Sequence, residues 1–465
     1  MAKKEHQPYG LDFKLILTGL NQALDLALVV VEINMFEDMF GSFMRMEVLI
    51  NDSLGLLDKY PIIGEETLTY IYKNPNDVEK TQFFKVYAVS ERKLVNSRSH
   101  GILLHAISWE GMRNSMEYVY KPFIQKKPHQ IVDEVFNKYL KASTKALVTD
   151  PASNDHTKVS SGVNPLVLIH EMANEAKSAK FATLPNGPSS YVFFESFDFF
   201  FFVPCTWFFE KSKSYTFKLG VPMDQNQFEE GNAFPGETIR AMRFVNTFDN
   251  IEASHRGAYL NEVNCLDPIL KRFKMHPIQE KNKYTFKYLR DFDQLKHLPL
   301  SSQKFLLGND PYSPASAKKL YSTHRRMLNT QIEEDGENYP TISYLSGRVS
   351  GADQLNAPRK RHEFLAATLH EKYNLQTQSI EITTHGVAEI GTGEIVEILV
   401  PQPTQLAGEH KDYLYLYGQQ NTFLVTAIRH VYQRATDAYY TVLRCSKESF
   451  GEAPSPRTFD NSPEG

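Results

Sequence analysis

The sequence predicts an α+β chain that is mainly β, with two β regions separated by a helix–helix–hairpin module. Three observations predict it. Period-two alternation recurs near both ends, as in Met44-Arg45-Met46-Glu47-Val48 and in "SIEITTHG" near residue 380. Two apolar stripes at helical spacing lie between Pro128 and Ala176. Directly behind them comes "YVFFESFDFFFFVPCTWFFE", residues 191–210, apolar at nearly every position.

Along the first 111 residues, strands are expected at 13–17, 24–36, 43–51, 66–72, 83–90 and 101–110. Turn chemistry separates them, such as Lys73-Asn74-Pro75-Asn76 and Asn96-Ser97-Arg98-Ser99. Many short strands at this spacing predict a barrel or sandwich, not a parallel α/β sheet. Asp52 reads as the cap of the turn that follows its strand.

The α+β module is expected over 112–236. Its first helix opens at Pro128, and Ile131, Val135 and Tyr139 repeat every fourth residue through Leu140. The second takes Asn164 as N-cap and Pro165 at its first position, with Leu166, Ile169, Ala173 and Ala176 as its apolar stripe. The phenylalanine stretch then reads as a hairpin, 191–194 and 199–203, turning at Glu195-Ser196-Phe197-Asp198. A membrane helix is excluded there, because about 20 mainly apolar residues would be needed and Glu195, Asp198 and Pro204 interrupt the run. Both faces of this hairpin are apolar, so both need cover. The two helices would cover one face and a partner subunit the other, which makes Phe199, Phe200, Phe201, Phe202 and Trp207 the expected interface residues. On that reading, aspartate at Phe200 and Phe202 would give monomers or aggregates.

A second β region is expected over 237–278 and 379–450, interrupted by an insertion at 279–378 that carries a helix near 358–373. "EIVEILVP", "FLVTAIRHVY" and "AYYTVLRCS" supply its later strands, with Ala435-Thr436-Asp437-Ala438 as a hairpin turn. Residues 451–465 are rich in Pro, Ser and Gly and are expected to be disordered.

Composition bounds the function. A chain of 465 residues has room for about three domains, and its 42% hydrophobic content is enough for real cores. The formal net charge of -4 argues against a nucleic-acid coat or an anionic membrane surface as target. Cys205, Cys265 and Cys445 are isolated thiols, which fits a reducing compartment better than a disulfide scaffold. Residues 1–11 are polar, so no signal peptide is read, and a soluble product made in a cytoplasm without a membrane span is expected.

Several fragments resemble catalytic motifs and fail on spacing. "HEMAN" at His170 lacks the second histidine of HExxH, because Asn174 stands there. His362 and His370 lie eight apart, two helical turns instead of one. "GTGE" at 391–394 is a Gly turn between strands with no helix behind it. Arg359, Lys360 and Arg361 sit in a first helical turn, where the dipole disfavours cations, and suit an outward or inter-subunit position. No catalytic, metal-ligating or cofactor-binding residue is assigned, no cofactor is expected, and the chain is read as a non-enzyme.

Four passages in a fixed order carry a family resemblance. They are "FEDMFGSFMRMEVLINDSLGLLDKYPIIGEETLTYIY", then "KPHQIVDEVFNKYL" with "NPLVLIHEMANEA" and the aromatic hairpin. "SHRGAYLNEVNCLDPILKRF" follows, and last "IEITTHGVAEIGTGEIVEILVPQP" with "FLVTAIRHVYQRATDAYYTVLRCSKES". Together they resemble the central baseplate hub proteins of contractile-tailed bacteriophages, related to the hub portion of type VI secretion spike proteins. The resemblance covers most of the chain outside 279–357 and the tail.

The resemblance implies two tail-tube-like antiparallel β-barrels per chain, superposable and separate. It implies a homotrimeric ring in the virion baseplate that joins the hexameric tail tube or a distal tube protein to a trimeric central spike. A tape-measure protein is a further implied partner, and DNA would pass through the lumen without specific binding. No lysozyme-like or peptidase domain is expected. The alternatives are a tail-tip cell-wall hydrolase or peptidase, and a distal tail or tube ring protein.

Overall fold

The structure, a computed structural model, describes residues 13–19, 22–53, 55, 60, 62–73, 79–96, 99–142, 144–180, 190–219, 238–246, 260–267, 272–279, 324–329, 375, 378–401, 413–414 and 421–447. The expected helix near 358–373, Arg359–Arg361, His362, His370 and the tail 451–465 lie outside them.

The first β region has seven strands: β1 (Phe13–Thr18), β2 (Ala23–Asp25), β3 (Val30–Asp38), β4 (Arg45–Asp52), β5 (Thr67–Lys73), β6 (Glu79–Asn96) and β7 (Ser99–Ser108). They pair in the order β2-β1-β5-β6-β7-β4-β3, every neighbour antiparallel. Alternate residues point inward, and Leu15, Leu17, Met46, Val48, Leu68, Phe84, Val86 and Leu104 are buried in one core with Ile33 and Met35 of β3. Because β1 and β3 share that core, the sheet curls round it. The Leu26 backbone bridges the gap, donating to the Leu15 carbonyl and accepting from Val29 and Val30. The single strand expected at 24–36 is two strands, because residues 27–29 form a turn that the Asp25 carboxylate anchors at the Ala27 amide, 2.9 Å. Asp52 is buried as the last residue of β4, opposite His100 of β7.

Where the last strand was expected to run on to residue 110, the chain forms helix α1 (Trp109–Met116). The module continues with β8 (Val119–Lys126), α2 (Pro128–Val135, extended by a π-helical turn Phe136–Leu140), β9 (Ala146–Thr149), β10 (His156–Val163) and α3 (Pro165–Glu175). It ends with β11 (Tyr191–Glu195), β12 (Phe199–Pro204) and the short α4 (Cys205–Phe208). Both expected helices are present, but their ends are satisfied from α1. Asn164 makes no capping bond to its own helix; its amide donates to the Asn114 carbonyl, while Asn114 accepts the Leu166 amide at 2.8 Å. Arg113 likewise donates to the carbonyls of Leu140 and Lys141, at 3.1 and 2.9 Å, at the end of the π turn. These contacts join residues about 50 and 27 apart, which local spacing does not reveal.

The second β region contains β13 (Lys213–Leu219), β14 (Thr238–Asn246), β18 (Gln378–His385), β19 (Ile395–Pro401), β21 (Thr422–Gln433) and β22 (Ala438–Lys447). Pairing runs β21-β22-β18-β14-β13-β19 and returns from β19 to β21, a closed six-stranded barrel. Its core includes Phe217, Ile380, Ile382, Val396, Ile398, Phe423 and Leu443. The two-residue β20 (Tyr413–Leu414) pairs with the end of β19.

The mainly-β class with a barrel holds, and four details differ from expectation. The barrel takes its strand β13 from the range assigned to the module. That strand runs parallel to both β14 and β19, so the barrel is not purely antiparallel. The connection 220–237 is long enough for the crossover that a parallel pair requires. Next, β15 (Leu260–Asp267) and β16 (Arg272–Gln279) do not enter the barrel; they form a separate sheet with β17 (His324–Asn329), a strand from the expected irregular insertion. Last, the two β regions are not separate. Residues Ala427–Gln433 of β21 pair antiparallel with Glu32–Asp38 of β3, giving one continuous 14-stranded sheet. At twelve residues, β21 is long enough to serve both regions. Its start pairs with β19, its later part with β3, and the register shifts between Val425 and Ala427. The join removes a free edge from β3.

The aromatic hairpin lies between these layers. Tyr191, Phe193, Phe200 and Phe202 pack on Ile131, Val135, Phe136, Leu168 and Met172 of the two helices. Val192, Phe194, Phe201 and Val203 pack on Phe208, Ile395, Leu424 and Met39. Phe200→Ala and Phe202→Ala should therefore each destabilise the isolated chain by about 3–5 kcal/mol, as for buried aromatic truncations elsewhere. Urea denaturation of the two variants checks this, and an unchanged midpoint would place those rings outside the core.

Candidate assembly surface

Of the five residues expected at an interface, three are interior. Phe200, Phe201 and Phe202 are buried within one chain, so the second face of the hairpin needs no partner subunit to cover it. The barrel and α4 cover it, a tertiary contact that the hairpin's own sequence does not announce. Phe199 is 44% exposed at the start of β12, and Trp207 is partly buried against Phe201 and Phe208. Aspartate at Phe200 and Phe202 would thus disrupt the module itself, not merely a subunit contact.

The hairpin is held at its turn by charges buried between elements. Glu195, 2% exposed, receives the Lys145 ammonium at 2.7 Å and the Met44 amide at 3.0 Å. Lys145 also donates to the Ser196 carbonyl at 2.8 Å, and the Glu195 amide donates to Ser42 at 3.1 Å. Two residues on, the Phe197 amide donates to Glu37 of β3 at 3.1 Å. The other oxygen of Glu37 accepts the Thr392 amide at 3.2 Å. One carboxyl group thereby joins the first sheet, the module and the barrel. The Gly turn at 391–394 is part of this junction: Gly393 has φ +91°, and a Cβ there would lie 2.4 Å from the Phe208 ring.

Burial pushes Glu37 from an ordinary 4.5 up to about 7, against the lowering pull of the two amides and Lys145. Glu110 is also raised to about 7, by burial first and then by the charge of Glu195. His170, the start of the failed zinc motif, sits 3.0 Å from the Ser42 hydroxyl and links α3 to the β3–β4 connection. Among the described residues no group of three or more His, Cys, Asp and Glu side chains is placed to hold a metal ion. No described helix is long and apolar enough to cross a membrane.

The outward apolar residues are elsewhere. On β6, Phe83, Tyr87 and Val89 share the outer face, with Lys85 between them lying 4.4 Å over the Trp109 ring. On the β8–β10 pair, Tyr120, Ile124 and Val159 are strongly exposed, with Tyr118 and Met116 beside them. Sequence reasoning missed both patches. Their signal is present in "VYKPFI", which is apolar at both parities: Val119 and Phe123 are buried, and Tyr120 and Ile124 face outward.

No protein family and no curated protein matches the chain by sequence. Solved structures do match. A tail protein from Neisseria meningitidis MC58 aligns over 95% of this chain and 98% of its own, with 11% identity and a TM-score of 0.51. The chain has the fold of a tail protein. The 43 kDa tail protein of prophage MuSo2 from Shewanella oneidensis aligns over 95% of this chain and all of its own, at 10% identity and a TM-score of 0.49. The E. coli c3393 protein, described as a type VI secretion component similar to the T4 tail proteins gp27 and gp5, covers 95% of this chain with 79% of its own. Its identity is 7% and its TM-score 0.42. The fold shared with the Neisseria tail protein agrees with the resemblance read from the sequence.

The junction carboxyls dictate a pH dependence. Glu37 and Glu110 hold protons in the folded chain at pH values where the unfolded chain has released them. Their stabilising contribution is complete below about pH 4.5 and is lost as pH rises through about 7. For Glu37 the loss amounts to about 3 kcal/mol, taking 1.36 kcal/mol per pKa unit. Unfolding free energies measured from pH 5 to 8 should decline, with a shallower decline in Glu37→Gln. An identical slope in that variant would show that Glu37 does not titrate differently on folding.

Proposed function

We propose that this chain is a structural hub of a phage tail baseplate. It would form a homotrimeric ring that adapts a hexameric tail tube to a trimeric central spike and lines the channel for genome passage. The observation that supports this is the tail-protein fold running over 95% of the chain, with an α+β module set between two β regions. In this reading the first region spans 1–111, the module 112 to about 212, and the second barrel begins at β13. Its location would be the virion tail, with tube, spike and tape-measure proteins as partners. Its work would be mechanical, not catalytic.

Neighbouring subunits would pack on the outward apolar patches, together with Phe199 and the exposed edge of Trp207. Exposed rings in rows are suited to that role, since each aromatic or aliphatic side chain removed from water contributes roughly 1.5–3 kcal/mol.

Native mass decides the reading. The purified chain should run at roughly three times its 53.3 kDa, and Tyr87→Asp with Tyr120→Asp should shift it to a folded monomer. A stable wild-type monomer at micromolar concentration would sink the hub reading, and a hexamer would favour a distal tail or tube ring.

The lumen should conduct DNA without gripping it. Lysines and arginines facing inward would neutralise phosphates and slow passage, and this chain has 55 acidic residues against 51 basic ones. Filter binding to duplex DNA at low salt should show negligible retention. Tight, salt-sensitive retention that disappears on neutralising Arg359, Lys360 and Arg361 would restore a nucleic-acid role.

A further inference from the structure

Three polar side chains stand in a row across strands β6, β7 and β4 on the outer face of the first β region. The Ser90 hydroxyl lies 2.7 Å from His105 Nε2, and His105 Nδ1 lies 3.4 Å from a carboxylate oxygen of Glu47. All three residues are half-buried, so the sheet holds them in place while a small reagent can reach them.

The backbone register builds this row. His105 of β7 stands directly opposite Glu47 of β4. On the other side of β7 the register shifts between Val86 and Ala88, which makes Tyr87 an extra residue and sets Ala88 opposite His105. Without that bulge Ser90 would pair with Ile102, whose side chain is buried in the core. With it, Ser90 pairs with Leu103 and shares the face of His105. A second bulge follows at once, where Glu91 and Arg92 together oppose Ile102 and Glu91 takes φ +52°. Bulges of this kind re-aim side chains.

The order of contacts assigns the protons. Glu47 holds the hydrogen on Nδ1, which leaves the Nε2 lone pair to accept the Ser90 hydroxyl. A serine hydroxyl is a weak nucleophile until an adjacent base can take its proton. Ser115 is the contrast within the same chain: it is exposed, and its hydroxyl donates to the Met112 carbonyl, which cannot serve as that base. Beside the imidazole, 6.1 Å away, the exposed Tyr87 ring offers a flat apolar wall to an aromatic group.

We propose that Ser90 is an acyl-acceptor serine for aryl esters, with His105 as its base and Glu47 as the positioning carboxylate. Ser90 Oγ bonds to the ester carbonyl carbon as its proton passes to His105 Nε2. The bond from that carbon to the aryl oxygen then breaks, and the leaving aryloxide takes the proton from His105. One acyl group remains on Ser90. The site does not rest on the hub reading, which native mass decides separately.

The test treats the full chain with p-nitrophenyl acetate and locates the acetyl groups by peptide mass mapping. Ser90 should be acetylated at least about a hundredfold faster than Ser115, the low end of what a positioned base contributes. His105→Gln should remove that advantage while leaving the thermal transition in place. Glu47→Gln should lower the Ser90 rate by about tenfold or more, and Glu47→Asp should recover part of the loss. Equal acetylation of Ser90 and Ser115, or acetylation of lysines alone, would overturn the proposal. That comparison is made on the unvaried chain and holds even if a variant fails to fold. The reaction is repeated over a dilution series with native mass measured in parallel. Protection of Ser90 only where the mass rises would show a reactive serine covered by a neighbouring subunit, whereas no labelling at any dilution would remove the site.

Discussion

A two-stranded sheet with apolar side chains on both faces cannot stand at a surface, and the architecture is arranged around that constraint. In strands β11 and β12 successive side chains alternate between two cores, one made with helices and the other with the barrel. The pairs Phe193↔Phe202 and Phe194↔Phe201 show the alternation directly: the first pair faces the helices, the second the barrel. Because each face serves a different layer, the hairpin is where the module and the barrel are joined. Phe43, on the connection before β4, meets the helix-side face edge-on, 6.3 Å from Phe193 and 6.5 Å from Phe200.

Hydrophobic burial of this kind is non-directional, so it does not by itself fix how the layers align. The polar groups at the hairpin turn do. Glu195 accepts the Met44 amide ahead of β4, and Glu37 of β3 accepts the Phe197 amide of the turn. A one-residue slip of the turn would leave those amides and a buried carboxylate without partners, which costs far more than the bonds contribute when made. Lys145 balances Glu195 in the same space. Desolvation is the charge on this arrangement, and its trace is the raised Glu37 and Glu110 carboxyls.

The continuous sheet has a mechanical consequence. Through β3 and β21, backbone hydrogen bonds connect the curled first region to the closed barrel without an intervening loop. A load applied to one region would reach the other through a ladder of hydrogen bonds pulled in concert, and the module braces the joint from the side through Glu37 and Phe197.

The sequence by itself determined the classes and positions of most elements. Period-two alternation located the strands at 43–51, 66–72 and 379–386 to within a few residues, and the apolar stripes at helical spacing located both helices, because those signals arise from local geometry and one buried face. It also showed that the hairpin must be covered on both sides. Tertiary structure alone decided what covers it. Phe208, Ile395 and Leu424 come from up to about 230 residues away, and apolar pattern records that a face is buried without recording against what. The same holds for the caps that α1 provides through Asn114 and Arg113, for the parallel strand β13, and for the ladder that merges two β regions. Each is a pairing between segments distant in sequence, where either partner alone carries only an unmet donor, an acceptor or an open edge.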